Sequence, residues 1–231
     1  MKKPIIGIVL RPVKTSKNRD SFMATDNIRK VISNCGGIPL GILPPNDLTY
    51  TLDFYSNREL KEETKQELVS LINLCDGIVF QGGSRWYSYD EFIASYVIEH
   101  DIPSLGICLG MQLLAYVDSN VKPILNNTKL NHNQEDIRYV HEINILRETP
   151  LFDILKKEKI SVNSSHQHKV FKLNNMKTMA KSSDDIIEAI YYPKKKFIVG
   201  VQFHPEIMFF FDENAKKIMK SFIKAAINKN K

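Results

Sequence analysis

Cys108 is the residue whose surroundings point most directly to chemistry. It lies between Gly106 and Gly110, two positions away on each side, which is the cysteine form of the G-x-S-x-G nucleophile elbow. Glycines suit this turn because a sharp change from strand to helix brings backbone segments together and leaves little room for a Cβ atom. The turn also places the sulfur at a helix N-terminus, whose partial positive charge favours the thiolate. The pattern therefore predicts a cysteine nucleophile.

A base and an orienting carboxylate for this thiol occur near the C-terminus. His204 comes at the end of an apolar run, at the carboxyl end of a predicted strand, where the sites of open α/β sheets collect. Glu206 follows across Pro205, and a carboxylate there can hold the imidazole in one tautomer and one orientation. Triad members are recognised by role and not by sequence order, so we predict that Cys108, His204 and Glu206 form a catalytic triad.

Attack of a thiolate on a carbonyl also requires donors for the developing oxyanion. The backbone N–H of Leu109, the residue after the nucleophile, is one natural donor. The pair Gly82-Gly83 directly follows another predicted strand and can bring a second backbone N–H close to a substrate carbonyl. We expect Gly83 and Leu109 to form an oxyanion hole, although a Gly pair at a strand end is also compatible with a simple turn.

The elements that must position these residues alternate between strand and helix in the first half of the chain. The apolar runs predict strands at 5–10, 38–43, 77–80 and 103–107 and helices at 22–35, 60–75 and 90–99, with loops at 11–20 and 46–59. Short apolar strands that alternate with amphipathic helices are typical of a parallel, doubly wound sheet. The first half therefore predicts an α/β fold of three layers, with helices on both faces of a mostly parallel central sheet.

The regular alternation of predicted strands and helices ends after the nucleophile elbow. Further strands are predicted at 142–146, 160–162, 186–191 and 197–203, and a brief helix at 151–157 begins with Thr149-Pro150. Asp212 is placed to cap a final amphipathic helix. These patterns predict a smaller antiparallel β portion in the C-terminal half. No repeat or long linker divides the chain, so residues 1–231 are expected to form a single domain.

Composition narrows the class of protein. No apolar run of the 231 residues approaches 18, which argues against a membrane span, and the apolar N-terminal run indicates a first strand and not a signal peptide. The net charge is +6, but the lysines are scattered and lack interleaved aromatics, so nucleic acid is not an expected partner. Three cysteines without metal-ligand spacing indicate a reducing, cytoplasmic environment.

Other reactive side chains have plainer interpretations. Cys35 and Cys75 fall on apolar helix faces and are predicted to be core residues. The single tryptophan, Trp86, is equally compatible with a contact at the rim of the pocket and with a packed aromatic. Four histidines show no metal-ligand spacing and are expected to be surface or structural residues, and neither a metal nor an organic cofactor is predicted; they are His100, His132, His141 and His168.

Taken together, these motifs resemble the class I glutamine amidotransferase superfamily. The elbow at 106–112, Gln81-Gly82-Gly83 and the run 200–206 carry the resemblance, which extends from about residue 5 to residue 226. The segments 162–168 and 184–190 are similar to the peptidase C26 branch, the γ-glutamyl hydrolases related to γ-glutamyl-γ-aminobutyrate hydrolase. The resemblance implies a flavodoxin-like fold and a triad that cleaves a γ-glutamyl amide through a thioester.

The resemblance also implies roles for further residues and leaves the substrate open. By matching motif, the residues expected to bind the glutamyl group are Gly82, Gln112, Ser164, Ser165 and His166, although His166 is also compatible with a structural histidine. Three features depart from the hydrolase branch: Leu109 replaces an arginine, Ser84-Arg85-Trp86 replaces a segment with an aspartate, and Gln167-His168 reverses the usual order. These changes concern the leaving-group side and not the triad.

Three functions are compatible with this pattern. The favoured one is a cytoplasmic hydrolase of a small γ-glutamyl compound, with self-association as a further expectation of the fold. The second is a glutaminase subunit that supplies ammonia to a separate synthase, for which Leu109 is the supporting feature. The third is a non-catalytic binding or regulatory protein, against which the complete triad argues.

Overall fold

The computed structural model describes residues 2–14, 20–45, 59–128 and 130–229. Within these residues the chain forms fifteen strands and seven helices. The strands are β1 (Ile5–Val9), β2 (Arg11–Lys14), β3 (Asp20–Met23), β4 (Ile38–Ile42), β5 (Gly77–Phe80), β6 (Ser104–Ile107), β7 (Ile124–Leu125), β8 (Asn133–Gln134), β9 (His141–Ile145), β10 (Lys159–Val162), β11 (Ser164–Ser165), β12 (His168–Lys169), β13 (Lys177–Ser182), β14 (Ile187–Tyr191) and β15 (Ile198–Val201). The helices are α1 (Asp26–Asn34), α2 (Glu62–Asn73), α3 (Ser88–Glu99), α4 (Leu109–Ser119), α5 (Pro150–Leu155), α6 (Pro205–Met208) and α7 (Glu213–Ile227).

Nine of the described strands form one sheet, in the order β10-β9-β13-β14-β15-β6-β5-β1-β4. The neighbours from β15 to β4 are parallel, whereas those from β10 to β15 are antiparallel. Three two-stranded pairs, β2-β3, β7-β12 and β8-β11, lie outside this sheet. The predicted α/β class, with a parallel core and an antiparallel portion in the C-terminal half, is confirmed.

The central strands are apolar throughout because helices cover both faces of the sheet. Every residue of β5 is buried, and its side chains alternate between the faces. Val79 packs in one hydrophobic core with residues of α1 and α7, while Ile78 and Phe80 pack in the other with residues of α2, α3 and α4. Burying an aliphatic or aromatic side chain of this kind contributes about 1.5–3 kcal/mol. The two cores hold the parallel strands in register.

The register brings three strand ends to one edge of the sheet. Phe80 of β5 lies opposite Gly106 of β6, and Ile107 of β6 lies opposite Val201 of β15. The ladder continues one step further, because the N–H of Cys108 donates to the carbonyl of Val201 at 2.8 Å. The residues that follow the three strands therefore meet at one place.

Two helices begin at the N-terminal capping residues that the sequence predicts. The Asp212 carboxylate accepts a hydrogen bond from the N–H of Ala215 at 2.8 Å and caps α7. Thr149 occupies the N-cap of α5, with Pro150 at its first turn. Among the described helices, none joins enough length to enough apolar character to cross a lipid bilayer.

The N-terminal segment differs from the prediction. The helix expected at 22–35 begins only at Asp26, because residues 20–23 pair with residues 11–14 in the β2-β3 hairpin. The loop expected at 11–20 is therefore wrong at both of its ends, and residues 15–19 lie outside the described residues. Nearly all of the loop expected at 46–59 also lies outside them. Polar residues in these two segments, Arg11 and Asp20 among them, interrupt the apolar pattern by which strands are predicted from a sequence.

Strand β13 was not predicted at all. Its sequence, KTMAKS, has adjacent buried residues, Met179 and Ala180, where a regular strand would alternate. The cause is irregular pairing with β14, since the register shifts on both sides of Ala180. A bulge of this kind breaks the period of two on which strand prediction depends.

Candidate active site

The elbow has the geometry that its glycines predict. Cys108 sits between β6 and α4 with φ 51° and ψ −105°, a backbone conformation that non-glycine residues rarely adopt. A Cβ on Gly110 would lie 2.0 Å from the carbonyl oxygen of Phe80, and one on Gly106 would lie 2.6 Å from the carbonyl oxygen of Gly110. Both glycines are required by backbone contact. Strained conformations of this kind cluster at functional sites.

His204 and Glu206 form the second half of the predicted triad. The Nδ1 of His204 lies 2.7 Å from Oε1 of Glu206, so Nδ1–H donates to the carboxylate and the other ring nitrogen faces away. The Cys108 sulfur is a further polar neighbour of this imidazole. The side chains of Cys108 and His204 also face Gly82, where a Cβ would lie 2.8 Å from Cε1 of His204 and 3.7 Å from Cβ of Cys108. The structure therefore brings the three predicted residues together.

Electrostatics in this cluster favour the charged imidazole. Burial lowers the pKa of His204, but the Glu206 carboxylate and the Cys108 sulfur raise it more, and the pKa ends well above its ordinary value of 6.5. An imidazolium beside a cysteine is the environment in which thiolates form and react. The arrangement can supply a nucleophile and, one step later, a proton for a leaving nitrogen.

Asn163 holds the histidine from the other side. Its Oδ1 accepts a hydrogen bond from the N–H of His204 at 2.9 Å, and its Nδ2 donates to the carbonyl of His204 at 3.2 Å. This side chain therefore fixes the backbone on which the imidazole is mounted. The sequence reasoning assigned no role to Asn163, and no local pattern indicates one, because its partner lies 41 positions away.

The loop after β5 is held in place by a side chain of its own. Gln81 donates from Nε2 to the carbonyls of Val9 and Met23, and its Oε1 accepts from the N–H of Thr25. These bonds tie the loop to β1 and to the β2-β3 hairpin. Gly83 then lies beside Leu109, since a Cβ on Gly83 would be 3.3 Å from Cδ2 of that residue.

Leu109 is the first residue of α4, where backbone N–H groups have no partner within the helix. Gly83 therefore lies beside the side chain of the residue that begins this helix, next to the nucleophile. Their role as oxyanion donors is compatible with this placement and stays a prediction.

A buried ion pair, missed by the sequence reasoning, supports the same loop. Arg11 donates from Nη1 to Oδ1 of Asp90 at 2.5 Å and from Nη2 to the carbonyl of Gln81 at 3.3 Å. Burial raises the pKa of Asp90 to about 6, and the Arg11 guanidinium opposes that rise. Arg11 is next to Gly83, with Nε 3.7 Å from the position of a Cβ there. Arg11 and Asp90 are 79 positions apart, so no sequence spacing indicates this ion pair.

Some of the residues predicted to bind the glutamyl group form hydrogen bonds to other protein groups, and one lies against the nucleophile. The Gln112 amide donates to the carbonyl of His168 and to Oε1 of Gln202, and the Ser164 hydroxyl donates to the carbonyl of His132. The carbonyl of Ser165 is 3.7 Å from the Cys108 sulfur. The segment therefore borders the nucleophile through its backbone. A substrate role for these residues and for Gly82 and His166 stays a prediction.

Four side chains could hold a metal ion: His132, His141, His166 and Glu188. Sequence spacing gave no signal for this group, because its members come from four separate segments. Burial raises the pKa of Glu188, but His132 and His166 lower it more, so the pKa of this fully buried carboxyl lies below its ordinary value. Burial lowers the pKa of His141, with Glu188 opposing. The group includes His166 and therefore adjoins the segment that borders Cys108.

The remaining cysteines and the tryptophan have structural surroundings. Burial raises the pKa of Cys35 and of Cys75 to about 11, which leaves both as unreactive thiols. Trp86 donates from Nε1 to Oε1 of Glu91 at 2.8 Å, and its ring lies 5.4 Å from that of Tyr116. Cys108 is thus the cysteine whose surroundings favour reaction.

Comparisons with known proteins identify the family of this chain. The family model for peptidase C26 matches residues 87–206. A CTP synthase of Bacteroides fragilis is 28% identical over 219 residues, which cover 80% of this chain and 40% of that protein. A glutamine amidotransferase-like protein of Rickettsia prowazekii is 27% identical, with 97% of this chain and 98% of that protein covered. The chain thus spans well under half the length of the CTP synthase.

Solved structures show the same fold. A GMP synthase subunit from Thermoplasma acidophilum superposes with a TM-score of 0.66 at 18% identity, covering 99% of this chain and 96% of that one. The flavodoxin-like architecture of class I glutamine amidotransferases, predicted from the motifs, is confirmed. With the family match, the chain is identified as a cysteine-dependent amide hydrolase enzyme that belongs to the peptidase C26 family of the class I glutamine amidotransferase superfamily.

Proposed function

We propose that this chain hydrolyses the γ-glutamyl amide bond of a small γ-glutamyl compound and releases glutamate and an amine. The observation that carries the proposal is the convergence of Cys108, at a strained elbow, with a His204 imidazole held 2.7 Å from Glu206. This constellation performs acyl transfer and requires no cofactor, because nucleophile, proton carrier and oxyanion donors all come from the chain. A cytoplasmic location, a single domain and self-association belong to the same proposal.

The first half of the reaction forms a thioester. The Cys108 thiolate attacks the γ-carbonyl carbon, a C–S bond forms, and the carbonyl electrons move to oxygen as an oxyanion. The backbone N–H groups of Gly83 and Leu109 stabilise that charge, a contribution of roughly 3–4 kcal/mol per donor in comparable sites. The His204 imidazolium then donates its proton to the amide nitrogen, the C–N bond breaks, and the amine leaves.

The second half releases glutamate. Neutral His204 removes a proton from a water molecule, and the water oxygen attacks the thioester carbonyl. The second tetrahedral intermediate uses the same donors. It collapses by breaking the C–S bond, which frees glutamate and restores the thiolate and the imidazolium. Glu206 keeps the imidazole in one orientation through both halves.

Glutamine hydrolysis for a separate synthase is the second candidate. It is favoured by Leu109, which departs from the arginine of the hydrolase branch, and by relatives named CTP synthase and GMP synthase. In that case the amine released is ammonia, and the partner is a synthase. The chemistry at Cys108 is the same in the two cases, so the distinction rests on the substrate and on the partner.

A substrate panel separates the candidates. The purified chain is incubated with γ-glutamyl derivatives of small amines and with glutamine, and the release of glutamate is measured. The hydrolase proposal expects turnover of at least one γ-glutamyl amide in preference to glutamine. Turnover of glutamine alone would reject it, and turnover that begins only when a synthase is added would establish the second candidate. Cys108→Ala must abolish all of these activities, whereas a binding or regulatory role would survive it.

A further inference from the structure

We infer that the group of His132, His141, His166 and Glu188 is a binding site for one divalent transition-metal ion, with zinc as the best match. Each residue directs one ligand atom into a common space, and the four atoms lie within 4.8 Å of one another. The inference concerns residues outside the proposed triad and does not depend on the substrate of the enzyme.

The polar atoms that face one another in this group form no hydrogen bonds. Five of them have no hydrogen-bond partner among the described residues: Nδ1 of His132, Nε2 of His141, Nε2 of His166 and both carboxylate oxygens of Glu188. Glu188 is fully buried, and the side chains of His132 and His166 are at most 1% exposed. Buried polar atoms are normally hydrogen-bonded, so such a convergence of orphaned atoms calls for an occupant.

The distances fit a coordinated ion better than hydrogen bonds. Oε1 of Glu188 lies 3.4 Å from His132 Nδ1, 3.5 Å from His141 Nε2 and 3.7 Å from His166 Nε2. Nitrogen–oxygen hydrogen bonds are shorter, at about 2.7–3.2 Å. A tetrahedral zinc ion with bonds of about 2.0–2.2 Å holds its ligand atoms roughly 3.3–3.6 Å apart. Because the four ligand atoms lie within 4.8 Å of one another, the side chains must close by roughly 1 Å to coordinate such an ion.

The outward ring nitrogens are oriented as metal-bound histidines usually are. Nε2 of His132 faces Oδ2 of Asp184 at 3.1 Å, and Nδ1 of His166 faces the carbonyl of His168 at 3.0 Å. Nδ1 of His141 lies 3.3 Å from the carbonyl of Glu142. A carboxylate or carbonyl that accepts the second N–H fixes the tautomer and leaves the other nitrogen free to bind metal. Each histidine can thus carry its proton on the outward nitrogen and offer the inward nitrogen to a metal ion.

The donor set indicates the kind of ion and its role. Three imidazole nitrogens and one carboxylate oxygen suit zinc and its neighbours in the first transition row and not magnesium or calcium, which prefer oxygen. Four protein ligands in a buried site leave no open position, which is typical of a structural ion.

The ion would join strands β9 and β14 of the main sheet to His166, next to Ser165 at the nucleophile. Its role would be to stabilise the segment that borders the active site.

Metal binding to the full-length chain, prepared without a histidine tag, tests the inference. The protein is stripped with a chelator and titrated with Zn²⁺ against a chromogenic competitor. We expect one equivalent per chain with a dissociation constant below about 1 µM. His141→Asn and Glu188→Gln should weaken binding by at least about 100-fold, and Asp184→Asn by about 10- to 100-fold. His100→Asn, at an exposed histidine outside the group, should bind as the wild type does.

Two further measurements keep the test decisive. Cys108→Ala must retain the equivalent of zinc, which excludes binding at the active-site thiol, and Co²⁺ bound to the wild-type chain should give the visible spectrum of a tetrahedral ion. The second measurement needs no variant and holds even if a ligand substitution prevents folding. Absence of a tightly bound equivalent in the wild type, or full binding by folded His141→Asn and Glu188→Gln, would overturn the inference in favour of a metal-free charge cluster.

Discussion

The amide of Asn163 holds both backbone polar groups of His204. Its oxygen accepts from the N–H at 2.9 Å and its nitrogen donates to the carbonyl at 3.2 Å, so the backbone of the proposed base is fixed to the end of β10. The next two residues, Ser164 and Ser165, lead to the carbonyl that borders the Cys108 sulfur. One short segment therefore positions the proposed base and lines the nucleophile.

Replacing Asn163 should impair catalysis more than folding. In Asn163→Ala the backbone N–H and carbonyl of His204 lose these partners, and leaving a buried polar group without its hydrogen bond costs about 1–3 kcal/mol. If that cost falls on the placement of the imidazole, kcat/KM should fall about 5- to 150-fold. The measurement is kcat/KM on the best substrate of the panel, beside thermal unfolding.

Asn163→Asp is the more conservative variant: it keeps an acceptor oxygen for the N–H of His204, but it replaces the donor to the carbonyl with a charged oxygen that repels it. It should retain more activity than Asn163→Ala. Equal kcat/KM in wild type and Asn163→Ala would show that the clamp does not position the base.

The pH dependence of the reaction should depend on Glu206. Burial lowers the pKa of His204, but Glu206 and the Cys108 sulfur raise it well above 6.5, so the imidazolium persists to higher pH than in a free histidine. In Glu206→Gln the raising charge is removed, and the alkaline limb of the kcat/KM profile should move to lower pH. The profile is measured for both proteins over the range in which they remain folded, and an unmoved alkaline limb would contradict the assignment of His204 as the proton donor.

The raised pKa of His204 also makes the stability of the fold depend on pH. A histidine whose pKa is raised in the folded state contributes stability that is fully present below 6.5 and is lost as the pH rises through the raised value. The loss of stability in Glu206→Gln should therefore be larger at pH 6 than in alkaline solution. Denaturant unfolding at both pH values measures this difference, and a loss that does not change with pH would argue against the ion pair.

The strand ends of the site could be predicted because each depends on a local pattern. Short, largely apolar runs bounded by turn residues mark β5 and β6, and the glycines on either side of Cys108 mark a turn whose backbone contacts leave no room for a Cβ. Once parallel strands are inferred, their carboxyl ends must meet at one edge. The nucleophile and the Gly-Gly loop are then expected at the same edge, and the order β15-β6-β5 in the structure places the base beside them.

The supporting residues could not be predicted because their partners are distant in sequence. Arg11 pairs with Asp90 across 79 positions, and Asn163 reaches His204 across 41. No periodicity links such residues, and their effect is to reduce the cost of burying charge or backbone polar groups. His132 and His141 were predicted to be surface or structural residues for the same reason, since only the folded sheet brings them to Glu188.

Gly82 should be needed for the position of the imidazole and not for the fold. A Cβ at this residue would lie 2.8 Å from Cε1 of His204, and the other atoms near it are no closer than 3.6 Å. Gly82→Ala should therefore displace the ring, and a displacement of about 1 Å can reduce the rate roughly 100-fold. We expect a large fall in kcat with a nearly unchanged melting temperature.

Gly41→Ala is a suitable control for this change, because Gly41 is exposed and the three atoms nearest to a Cβ there belong to the flexible side chain of Leu10. It should leave kcat close to that of the wild type. A wild-type kcat in Gly82→Ala would show that the ring can move without loss and that its observed position is not the reactive one.

Gly110 should be required for folding itself, because its hydrogen faces backbone. A Cβ there would lie 2.0 Å from the carbonyl oxygen of Phe80, and side chains cannot relieve that contact. β5 and the start of α4 would have to separate by more than 1 Å, although β5 is buried on both faces. Overpacking against side chains commonly costs about 1–3 kcal/mol, and a backbone clash should reach or exceed the upper end.

We therefore expect Gly110→Ala to unfold at a clearly lower denaturant concentration than the wild type and to lose activity as well. Gly41→Ala again serves as the control and should unfold close to the wild type. Because α4 begins at Leu109, any relief of the clash must shift the N–H groups proposed to stabilise the oxyanion. A Gly110→Ala protein with both wild-type unfolding and wild-type kcat would mean that the elbow is less closely packed than its contacts indicate.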